Sequence, residues 1–154
     1  MKKFFFTVIK AALIAGTLDI LAAFTQAYIK NNTMPSQVLK SIAGGAFGKE
    51  TFSSETTMVV WGLIFHFLIA FLFTLFFFIV VSRAPTLVSN PILSGIFYGI
   101  FVWATMRFFV LPYLSRLNPR PVVFKDAAIA AGILIICIGI PISYIARNYI
   151  RKSK

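Results

Sequence analysis

The sequence predicts an all-α, polytopic membrane bundle of four transmembrane helices, with a short amphipathic helix in the first loop. Three observations predict it. Hydrophobic residues make up 59% of the 154-residue chain and charged residues only 12%, and mean hydropathy is +0.89; soluble domains carry about 25% charged residues. Eighteen phenylalanines are hard for a soluble domain of this size to bury, because a small fold has much surface for its volume. Four apolar runs each reach the roughly 20 residues that a helix needs to cross a hydrocarbon core of about 30 Å.

The first run covers about residues 4–29 and contains FFFTVIKAALIAGTLDILAAF. Lys10 and Asp19 interrupt it. Lys10 is near enough to one end to snorkel to the headgroups, whereas Asp19 is central. The basic start Met1-Lys2-Lys3 and the small residues around Thr25-Gln26-Ala27 also fit a cleavable secretory leader. The length of the run and its two charges favour a retained span.

The second run, at about 58–81, is the most apolar; the third covers about 91–111 and the fourth about 127–146. Together they predict one membrane domain over 1–154. In the first loop, 35–47 places Val38, Leu39, Ile42 and Ala46 at helical spacing, with Pro35 in the first turn and Gly44-Gly45 near the end. That stripe suits a helix lying in the interface, one folded back onto the bundle, or an ordinary surface helix. Pro85, Asn90-Pro91, Asn118-Pro119 and Pro121 mark short turns, which imply antiparallel neighbours. Pro141 should kink the fourth helix. Trp61, Trp103, Tyr98, Tyr113 and Tyr144 are candidate interfacial aromatics.

The formal charge of +11 does not point to nucleic acid, because the cations sit singly or in small groups at the ends of apolar runs. That pattern anchors helices in headgroups. With four spans, one side carries Lys2, Lys3, Arg83, Arg147, Arg151, Lys152 and Lys154, and the other Lys30, Lys40, Lys49, Arg116, Arg120 and Lys125. Seven cations against six, with Lys10 added to the first group, place both termini in the cytoplasm.

Ionisable groups deep in a span cost about 2.5–3.5 kcal/mol, so they face protein and find partners. Asp19 shares a face with Ala12, Gly16 and Ala23, and His66 lies in the row Gly62, His66, Ala70, Thr74. Small residues at this spacing let helices approach closely. Gly95 and Gly99 form a GxxxG pair whose row continues through Trp103 and Arg107. Counting the helical rise outward from each midpoint puts Asp19 about 4 Å, His66 about 5 Å and Arg107 about 8 Å along. The similar depths predict one polar cluster of Asp19, His66 and Arg107, with the Asp and Arg compensating each other. The cluster either fixes helix order only, or also binds a small ligand, a lipid headgroup or a proton.

One histidine, one cysteine (Cys137) and four carboxylates give no metal constellation, and no phosphate-binding or nucleophile motif occurs. No cofactor, metal or catalytic residue is therefore expected. Gly16, Gly62, Gly95 and Gly99 are expected as helix-packing positions. The partners expected are the bilayer and, through Gly95 and Gly99, a second copy or a partner helix. A small transporter or channel assembled as an oligomer is the third class.

The stretches AALIAGTLDILAAF, VLKSIAGGAFGKETF, GLIFHFLIAFLFT, LSGIFYG with FFVLPYLSR, and GIPISYIAR resemble small bacterial membrane proteins broadly similar to the YagU-like inner-membrane family. The resemblance implies a bacterial inner membrane and a four-helix layout, and brings no activity with it. Fusion reporters placed at Lys154 and within 48–56 should report opposite sides of the membrane; same-side signals refute four spans.

Overall fold

The computed structural model describes residues 2–48, 56–116 and 123–153. Lys49, Arg120, Lys154 and the turn residues Asn118, Pro119 and Pro121 lie outside them. Helix α1 runs Lys2–Asn31, α2 Pro35–Phe47 and α3 Thr56–Arg83. A single turn at Pro85–Val88 leads to α4, Pro91–Thr105, which continues as a π-helical stretch, Met106–Leu114. Helix α5 comprises Phe124–Leu134, a π turn at Ile135–Gly139, and Ile140–Ser153. Helices α1, α3, α4 and α5 are each long and apolar enough to cross a membrane, and each extends a few residues past its apolar run.

Helix ends follow local chemistry. Pro35 occupies the first turn of α2, and the Gln37 side chain accepts from the Met34 N–H at 3.2 Å. Gly48 ends α2 at φ +91°, a conformation that a side chain resists, and its N–H donates to the Gly44 carbonyl. Asn90 caps α4 through Oδ1, which accepts from the Leu93 N–H at 3.2 Å, with Pro91 following.

Both π turns adjoin prolines. Pro141 has no N–H to give the Cys137 carbonyl, and its ring crowds that carbonyl. The disruption expected at Pro141 takes the form of a wider turn just upstream, where the Ile140 N–H reaches back five residues to Ile135. Pro112 lies inside the π-helical end of α4, where the Ser115 N–H bonds the Val110 carbonyl.

Helix α1 packs on α3 and α5, and α4 packs on α5. The α4–α5 contact depends on missing side chains. A Cβ at Gly95 would stand 2.7 Å from Ile140 Cα, and one at Gly99 2.5 Å from Ile135 Cα; Gly139 faces the Gly95 carbonyl in return. The GxxxG pair therefore binds α5 of its own chain, which corrects the expectation that this face is free for a second copy. The reason is physical: in lipid, helices associate by close van der Waals contact, and α5 offers the matching glycine.

The dense core is Val8, Ala11, Ala15, Phe78, Val81, Tyr98, Val102, Ile138, Ile142 and Ala146. All but Val102 and Ile138, which lie at the middle of their helices, belong to the half of the bundle nearer the termini. In the other half Phe124–Leu134 buries nothing, and α2 folds back to fill the space. Its Leu39 backbone lies so close to Gly62 that any Cβ there would overlap the Leu39 carbonyl, and Phe47 packs edge-on to Trp61. Of the three placements the sequence allowed for this segment, folding onto the bundle is the one observed. Lys30 in the last turn of α1 pairs with Asp126 in the first turn of α5, each charge complementing its helix dipole. The pair is half-exposed and contributes under about 1 kcal/mol, but it records that these two helix ends meet.

Gly99→Ala should cost about 1–3 kcal/mol by overpacking. Gly132→Ala, where a Cβ meets nothing within 4 Å, should leave detergent melting temperature unchanged or slightly raised.

Candidate functional site

The contact between α1 and α3 is built around Gly16. A Cβ there would meet the Phe67 ring at 3.0 Å and the Ala70 Cβ at 3.3 Å, tighter than ordinary contact, so a larger residue requires Phe67 to give way. The approach brings His66 Nε2 to 2.8 Å from the Gly16 carbonyl. A carbonyl oxygen only accepts, so Nε2 carries the hydrogen and donates it; the oxygen has a second lone pair available beside its helical bond. Phe67 stands edge-on to the imidazole, ring centroids 5.3 Å apart.

Asp19 lies one turn along α1 from Gly16 and is half-buried. Its carboxylate is within electrostatic range of His66 and of the Cys137 thiol on α5. Among the described residues it makes no hydrogen bond or ion pair.

Arg107 belongs elsewhere. It sits on the π-helical end of α4, whose neighbours are α4 itself and α2, and it forms no ion pair with Asp19. The expected compensation between the two is therefore corrected. The Gly95, Gly99, Trp103, Arg107 row was drawn at the α-helical turn, and the wider π turn from Met106 onward carries Arg107 off it. Moreover, the glycines that begin the row point to α5.

Cys137 is the residue that spacing alone did not bring to the site. The available signal was Pro141, four residues on, which disturbs the backbone at Cys137 and opens the turn that carries it.

Elsewhere three hydroxyls are turned back on backbone. Thr74 donates to the Ala70 carbonyl at 2.7 Å, Ser82 to Phe78 at 2.7 Å, and Tyr98 across to Phe73. Ser143 Oγ, fully buried, has no partner among the described residues; as a small residue one turn beyond Gly139, it allows α5 to stay close to α4. No continuous polar path crosses the terminal half of the bundle along these side chains.

Fold and site define a class, a multi-pass integral membrane protein with a carboxylate and an imidazole brought together inside the bundle. Compared with family models, with curated proteins and with solved structures, the chain finds no match in any of the three.

A double-mutant cycle separates the two pairings. Asp19→Asn with His66→Gln should show a coupling energy of about 0.5 kcal/mol or more, whereas Asp19→Asn with Arg107→Gln should be additive. Thermal melts in mild detergent give both values.

Proposed function

We propose that this is a non-enzymatic membrane protein of the bacterial inner membrane, with both termini cytoplasmic, whose Asp19–His66 pair binds a proton at the α1–α3 contact. One observation carries the reading. His66 is tied through Nε2 to a backbone carbonyl at 2.8 Å, which leaves Nδ1 as the atom able to take a proton, beside a carboxylate with no other partner among the described residues. A carboxylate held there uncompensated is expensive; a proton shared with the imidazole removes the cost.

The titratable groups facing the pair are Asp19 from α1, His66 from α3 and Cys137 from α5. Protonation changes the charge at the point where Gly16 meets Phe67 and Ala70, so proton binding and α1–α3 docking are linked. The turning of Thr74, Ser82 and Tyr98 onto backbone carbonyls supports a local site over a transport route through one protomer. The resemblance to the YagU-like proteins supports the bacterial inner membrane. The contribution of Val8, Ala11 and Ala15 to the core supports a retained first helix.

The chain holds a single histidine, so histidine ¹⁵N labelling in lipid nanodiscs yields one imidazole to follow. The ring should be found as the Nε2–H tautomer, as the 2.8 Å contact with the Gly16 carbonyl requires, and a proton shared with Asp19 should make the Nδ1 signal change in Asp19→Asn. An Nδ1–H tautomer bonded to the carbonyl side, or ¹⁵N signals identical with and without Asp19, overturns the proposal.

A further inference from the structure

The seam between α3 and α4 is closed by side chains instead of backbone approach. Phe76 stacks on Phe101 with ring centroids 5.6 Å apart, Phe77 leans on Tyr98 at 4.4 Å, and the Tyr98 hydroxyl reaches the Phe73 carbonyl. On the α2 side of this aromatic bar the seam opens into a groove of about 680 Å³. Ile69 and Leu72 form one wall, Met106 and Val110 the other, and Ile42 and Gly45 of α2 close the end. The volume falls in the range of about 300–1,000 Å³ typical of small-molecule sites.

Both walls belong to helices fit to cross a membrane, so the groove opens sideways into hydrocarbon. Its lining offers a guest almost nothing to hydrogen-bond, which selects an acyl chain over water or a polar solute. The end under α2 is different. Ser41 and Ser115 line it, and the Arg116 N–H donates to the Gly45 carbonyl at 2.8 Å, fixing Arg116 at the rim. The Arg116 side chain lies along Gly48. By sequence this side of the membrane carries Lys30, Lys40, Lys49, Arg116, Arg120 and Lys125 against Glu50, Glu55 and Asp126. Basic residues at the headgroup end of a cleft between membrane helices complement anionic headgroups.

We propose that this groove binds one anionic phospholipid from the leaflet on the α2 side, with an acyl chain along Ile69 and Met106 and its phosphate at Arg116. The lipid completes the half of the bundle that its own residues leave loosely packed, and it is a resident ligand distinct from the lipid that merely surrounds the protein.

Native mass spectrometry of the full chain, released from detergent containing equal phosphatidylglycerol and phosphatidylcholine of identical acyl composition, tests this. The wild type should retain one phosphatidylglycerol about tenfold in preference to phosphatidylcholine. Arg116→Gln should bring the ratio near one, and Ile69→Trp, which fills the groove, should lose both lipids. Leu72→Trp, at a more exposed position of the same wall, gives a second blocking variant should Ile69→Trp fail to fold by circular dichroism. Leu13→Trp, on the lipid face of α1, should behave as wild type. Equal retention of the two lipids by the wild type overturns the proposal, as does undiminished retention by a folded groove-filling variant.

Discussion

The structure depends on backbone meeting backbone where side chains are absent. In hydrocarbon, apolar side chains gain little by leaving lipid for protein, so helices must be held by short-range contact and by the few polar groups they share. Gly95 and Gly99 of α4 against Ile135–Gly139 of α5, and Gly62 of α3 against α2, are three such contacts, and at Gly16 of α1 the backbone meets the side chains of Phe67 and Ala70. Each sets a distance that fixes what neighbouring residues reach. The hydrogen bond from His66 to Gly16 exists because position 16 has no Cβ to keep α3 away.

Much of this was legible in the chain. The four runs, the loop helix and the small-residue rows at Gly16, Gly62 and Gly95 follow from hydropathy, turn residues and a spacing of four. The rows told which faces are close-packed, and they did not tell which helix each face would meet. Gly95 and Gly99 serve α5 as well as they would serve a second molecule, and only the complementary Gly139 decides between them.

The polar site was half legible for a related reason. Asp19 and His66 lie in regular α-helix, where depth and direction extrapolate safely from turn geometry. Arg107 and Cys137 lie in π turns beside Pro112 and Pro141, where one wider turn redirects everything beyond it. A proline in a span announces a disturbance without stating whether the backbone will bend or widen, and that choice bears on where Arg107 and Cys137 end up.

The bridge between Lys30 and Asp126 joins residues 96 positions apart, and the bond from His66 to Gly16 spans 50. Chains are made from the N-terminus, so α1 enters the bilayer before either partner exists. Asp19 must therefore be carried in on the apolar strength of α1 alone, against an insertion cost of about 2.5–3.5 kcal/mol for a central aspartate. Emergence of α3 gives that carboxylate its imidazole, and α5, synthesised after it, brings Lys30 its carboxylate. The order of the segments is thus also an order of assembly: each buried or half-buried charge of α1 enters before the group that answers it.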